Sequence, residues 1–102
     1  MTSRSDPVDR TRELLGVALH LAAADGWRAL TRESIAQAAG VSPGLVSARL
    51  GTMEALRRSV MRAAVRERVV AVVTQGLALR DRQAMKADET LRALAAAWVG
   101  QA

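Results

Sequence analysis

Five arginines, at positions 57, 58, 62, 66 and 68, fall within residues 51–68, where the only acidic residues are Glu54 and Glu67. Guanidinium groups are charged at any physiological pH and donate paired hydrogen bonds to two oxygens at once, which suits them to phosphate. Arg57 and Arg58 are placed to meet phosphates, and the spacing of Arg58, Arg62 and Arg66 puts these three on one helical face, where the latter two are read as solvated. Arg49 lies eight residues upstream of Arg57 on a separate short helix; there its guanidinium can bond the O6 and N7 edge of a guanine, with a phosphate contact as the rival. Catalytic chemistry has no such constellation. There is no cysteine and no phosphate loop, and His20 is the sole histidine, read as a packed or surface residue, so neither an enzyme nor a metal or other cofactor is expected.

These side chains need a scaffold, and the stretch AAGVSPGLVSARLGTMEAL at residues 38–56 supplies one. Gly40 ends a helix because it reaches left-handed backbone angles without steric cost. Ser42 starts the next by accepting a bond from an early backbone N–H, with Pro43 at the first helical position, where no N–H is needed. Val41 and Val46 are spaced to staple the corner. The free N–H groups at Ser42, Pro43 and Gly44 suit a phosphate, and Gly44 would permit close approach of the backbone. Leu45, Ser47 and Ala48 follow as candidates for base contact, Leu45 through a thymine methyl, although Leu45 can instead cover the core. Upstream, Thr31 caps a short helix, RESIAQAA, which Arg32 opens; downstream, Thr52 caps again and Glu54 sits in a first turn favoured by the helix dipole.

The whole composition agrees with closely packed helices. Of 102 residues half are hydrophobic, the only aromatics are Trp27 and Trp98, and Pro occurs only at positions 7 and 43. Strand-like alternation is absent, so the fold class is all-α, in one compact unit: an arm over residues 1–8, a DNA-binding region over 9–58 and a helical dimerisation region over 59–102. Within it the helices are expected over 9–24, 32–39, 43–50, 53–78 as one long helix, and a last one near 88–99. Arg4, Arg10 and Arg12 can follow DNA as an arm, while Trp27 is read as a plug between helices. The formal charge of +5 and the pI of about 11.4 point to a polyanionic partner. The first ten residues lack the apolar core of a signal peptide and no apolar run approaches a membrane span, so a cytoplasmic protein is expected.

Two short helices around a Gly corner, with Ala36 and Ala39 to keep them close, make a helix-turn-helix. The longer stretch LLGVALHLAAADGWRALTRESIAQAAGVSPGLVSARLGTMEAL resembles the N-terminal DNA-binding domain of the tetracycline-repressor (TetR) family over residues 13–58. The resemblance implies a three-helix domain whose last helix enters the major groove, backbone contacts near Thr31 and Arg32, and a symmetric dimer. It also shows departures: Ser47 stands where the family commonly has tyrosine, Leu50 for phenylalanine, Met53 for a phosphate-binding lysine and Leu45 for threonine. Base preference therefore does not carry over from relatives.

The expectation is a homodimer that binds an inverted-repeat operator on double-stranded DNA and represses transcription, without a small-molecule effector because some 45 C-terminal residues leave little room for a ligand cavity, and without membrane association. Val69, Val70, Val72, Val73, Leu77, Leu91, Leu94 and Trp98 are the expected dimer interface, being too many apolar groups for two helices to hide alone. The rival reading is a protein-interaction module on a helix-turn-helix scaffold that has lost specific DNA binding.

Overall fold

The computed structural model describes residues 7–100 and runs α1 (Pro7–Asp25), α2 (Arg32–Ala39), α3 (Pro43–Leu50), α4 (Met53–Glu67), α5 (Val70–Ala78), a 3-10 turn (Ala84–Lys86) and α6 (Glu89–Gly100). Among the described residues there is no strand, so the all-α expectation holds. The first helix, expected from Asp9, starts earlier: Pro7 already opens α1, at a position where a missing N–H costs nothing, and residues 1–6, with Arg4, lie outside the described residues.

Leu14, Ala18 and Ala22 repeat at intervals of four along α1 and are fully buried. They meet Ile35 of α2, Val46 and Leu50 of α3 and Leu56 and Val60 of α4, all buried in one continuous core. Fully burying each of the larger aliphatic side chains contributes roughly 1.5–3 kcal/mol. Small residues at Ala18, Ala22 and Ala36 let these short helices approach, which replaces the bulk that aromatics would supply elsewhere.

The expected long helix over residues 53–78 is in fact two helices. Arg68 adopts left-handed angles (φ 58, ψ 45) between α4 and α5. The Val69 N–H donates to the Ala64 carbonyl at 2.8 Å and the Arg68 N–H to that of Val65 at 3.3 Å, which is the paired closure of a Schellman turn. The break lets α5 fold back across α4 and α1 instead of projecting away from them. At the crossing Gly76 is essential: a Cβ there would lie 2.6 Å from both the Met61 methyl and the Ala84 Cβ. A second Schellman turn closes α5, with Arg80 left-handed and the Asp81 N–H on the Gly76 carbonyl at 2.8 Å.

This fold-back corrects part of the expected dimer interface. Val72, Val73 and Leu91 are completely buried within the single chain and have no surface to offer a partner. Val69, Val70 and Leu77 are half-buried against the same core. Only Leu94 (48%) and Trp98 (52%) of the eight remain substantially exposed, beside Val99 (57%).

Candidate nucleic-acid interface

The geometry starts at the Thr31 cap. Its Oγ1 accepts from the Ser34 N–H at 3.0 Å, while Ser34 Oγ accepts from the Thr31 N–H at 3.2 Å, a reciprocal capping box that sets the start of α2. Gly40 (φ 71) ends α2, with the Val41 N–H on the Ala36 carbonyl at 3.0 Å. Ser42 then caps α3 through a 3.1 Å bond from the Leu45 N–H, and Thr52 caps α4 through a 3.1 Å bond from the Ala55 N–H. Three hydroxyl caps and one left-handed glycine therefore fix where each of the three helices begins, and the turn is stiff.

On α3, Val46 and Leu50 are buried and point the opposite face outward. Pro43, Gly44 and Ala48 are exposed, and Leu45, Ser47 and Arg49 are half-buried on the flanks. The outermost surface of the helix is thus small and apolar, suited to close approach and methyl contact, and its hydrogen-bonding groups lie at its edges. Gly44 is not there for the fold: its φ is not positive and a Cβ would come no closer than 3.8 Å, to Ser42 Oγ. The Nε atoms of Arg32 and Arg49 are buried without a hydrogen-bond partner, so the stems of both arginines lie against the protein.

Trp27 is the plug that the sequence suggests, and more than a filler. Its indole Nε1 donates to the Arg57 carbonyl at 3.0 Å, its backbone N–H donates to Gln75 Oε1 at 2.6 Å, and Gln75 Nε2 donates to the Ala22 carbonyl at 3.3 Å. This polar set ties α5 to the connection between α1 and α2, so the C-terminal helices brace the helix-turn-helix directly. Arg57 belongs partly to that brace, since its Nη2 reaches the Leu30 carbonyl at 3.5 Å. Arg58, on the neighbouring position, is exposed and free of this role.

The family model for bacterial regulatory proteins of the tetR family matches residues 14–60, from α1 through the first half of α4. Residues 14–60 are a TetR-family helix-turn-helix DNA-binding domain. That domain supports a DNA-binding transcription regulator. No curated protein and no solved structure matches the chain. Among the described residues no helix is long and apolar enough to cross a membrane.

Thr31, Arg32, Ser42, Pro43, Gly44, Leu45, Ser47, Ala48 and Arg49 all lie on α2, α3 or their caps within this TetR-type domain, and Arg57 and Arg58 lie in the second turn of α4. Two arginines outside that set, Arg28 and Arg82, join Arg57 and Arg58 around one cleft. Arg28 was legible only as a neighbour of the Trp27 plug. Arg82 lies 54 residues further along the chain, and only the fold-back of α5 brings it there.

Proposed function

We propose that the protein is a sequence-specific repressor that acts as a homodimer on an inverted-repeat operator. The observation that carries this reading is the uncovered outer face of α3, Gly44 and Ala48 with Leu45, Ser47 and Arg49 on its flanks, on a turn stiffened by three hydroxyl caps. A helix so presented can sit deep in a major groove, and two of them related by a two-fold axis require half-sites about one helical turn, roughly 34–36 Å, or a multiple of that spacing apart. Repression follows from occupancy, by excluding polymerase from an overlapping promoter, and needs no small-molecule inducer to bind.

The two-fold axis is assigned to α6. From Ala93 to Val99 this helix carries no polar side chain, yet only Ala95 of that run is buried. A helix that is apolar on every side belongs in an interior, and a second copy of the same helix supplies one. Selection of bound fragments from a random DNA pool, followed by titration of the selected site, tests the reading. Enrichment of an inverted repeat bound at least about a thousandfold tighter than random DNA is expected; equal affinity for all sequences at physiological salt would sink it.

The apolar α6 also favours a second reading, in which a different protein docks there and specific DNA binding is lost along with the family's usual tyrosine and lysine, here Ser47 and Met53. Retention on nonspecific DNA at low salt, falling steeply as salt rises, separates the two.

A further inference from the structure

Arg28, from the connection before α2, Arg57 and Arg58, from α4, and Arg82, from the loop before the 3-10 turn, line one open cleft of ≈ 540 Å³. Two carboxylates share it, Glu54 and Asp81, leaving a formal charge of +2. Asp81 is already engaged: its Oδ2 accepts from the backbone N–H groups of Gln83 (2.9 Å) and Ala84 (3.1 Å), which caps the 3-10 turn. The ion pairs found among the described residues, Arg10–Glu13, Arg66–Glu67 and Arg68–Asp88, include none of the four cleft arginines. Arg57 Nε is moreover buried without a partner.

Four arginines from three separate segments line the cleft, with Arg57 giving one donor, Nη2, to the Leu30 carbonyl and with Glu54 as the one uncommitted carboxylate, so the site is short of an anion. We propose that this cleft binds a phosphate group. A phosphoryl group presents several strong acceptor oxygens and more than one negative charge, so it can answer donors arriving from several directions, whereas a carboxylate is satisfied by a single planar fork. The phosphate comes from one of two sources. It belongs to the DNA backbone flanking the groove that α3 enters, which extends the contact surface onto the C-terminal loop, or to a free phosphorylated compound, which acts as an effector through the Trp27–Arg57 brace. Only the first source rests on the DNA-binding reading.

Trp27 lines the cleft and reports on it once Trp98 is replaced by phenylalanine. The Trp98→Phe protein is titrated with inorganic pyrophosphate, with sodium chloride at matched ionic strength as the control, while Trp27 fluorescence and thermal midpoint are followed. In parallel, affinity for a random duplex is measured across a salt series. Arg28 and Arg82 are exposed, so Arg28→Ala/Arg82→Ala is expected to keep its helical circular dichroism and serves as the site variant. Saturable pyrophosphate binding, at least about tenfold weaker in the site variant, with an unchanged salt slope on DNA, establishes the free ligand. A salt slope shallower by about one or two per protomer in the variant establishes backbone phosphate. Pyrophosphate binding that the variant retains in full, or no effect in either arm, overturns the proposal. A wild-type protein that ignores DNA but saturates with pyrophosphate defeats the repressor reading and leaves the cleft standing.

Discussion

Gly44 separates folding from binding at a single residue. Because a Cβ meets only ordinary contact distance there, Gly44→Ala is expected to leave stability unchanged or raise it by up to about 1 kcal/mol, as helix propensity favours alanine. If the close approach of α3 to base edges is what the glycine provides, operator affinity falls in the same variant. Thermal denaturation and operator titration therefore move in opposite directions, and an unaltered affinity removes Gly44 from the interface. Arg49 is the principal candidate for reading a base. Arg49→Ala is expected to cost about 1–3 kcal/mol on the cognate site and to relax preference at one base pair per half-site. The appropriate comparison is Arg58, not Arg57, whose carbonyl and guanidinium both serve the fold. Arg58→Ala is expected to weaken binding to every sequence alike and to make the salt dependence shallower. A uniform loss for Arg49→Ala instead would hand specificity to Leu45, Ser47, Ala48 and the shape of the DNA.

Among the elements, α5 and α6 decide how the C-terminal half is held. Gly76 sits where α5 crosses Met61 of α4 and Ala84 of the 3-10 turn, with no space for another carbon. Gly76→Ala is expected to destabilise by about 1–3 kcal/mol despite its better helix propensity, because the buried Ala84 Cβ is fixed to its backbone and only the Met61 side chain can shift. A denaturant midpoint equal to that of the wild type would contradict the crossing. Asp88 caps α6 by accepting from the Leu91 N–H at 2.7 Å and holds Arg68 Nη1 at 3.0 Å. The bond from the Leu91 backbone N–H, and then Arg68, lower its pKa below the ordinary aspartate value of 3.8. The charged form is thus favoured in the folded state: its contribution is fully present above the unfolded value and is lost as pH falls through the lower folded one. In an acid titration of stability the difference between wild type and Asp88→Asn is expected to be present at neutrality and to shrink as pH falls below the ordinary aspartate value of 3.8. A gap that persists unchanged into strong acid would assign the effect to something other than the carboxylate.

The chain as a whole has one core running from Leu14 to Leu91, and the Gln75–Trp27 brace joins its two halves. What the core leaves outside is the apolar run of α6. Leu94→Glu and Trp98→Glu are expected to give folded monomers with weakened operator binding, seen by light scattering at micromolar concentration together with a retained thermal transition. Val72→Glu, by contrast, is expected to unfold the chain, since its side chain has no route to water or a partner. Dimers that survive both α6 substitutions would place the two-fold axis elsewhere.

The helix-turn-helix was legible in residues 31–52 because each of its boundaries is written in local chemistry: Thr31, Ser42 and Thr52 offer hydroxyls to backbone N–H groups within three residues, and Gly40 takes angles that few other residues accept. Such signals act over a single turn and need no tertiary context. The C-terminal half has such caps at Asp81 and Asp88, but the corner between α4 and α5 carries no comparable signal. Arg68 occupies a left-handed position that glycine ordinarily marks, so the helix expected over 53–78 runs through a corner, whereas the turn after residue 78 is marked by its polar residues. Which valines are core and which are surface depended on that corner, because reversing the chain after Glu67 turns Val72 and Val73 onto α1 and α4 and brings Arg82 to Arg28. Sequence alone determined the local starts and stops of the DNA-binding domain; only tertiary packing decided where the apolar and basic residues beyond it would meet, since those meetings are fixed by contacts between segments far apart in the chain.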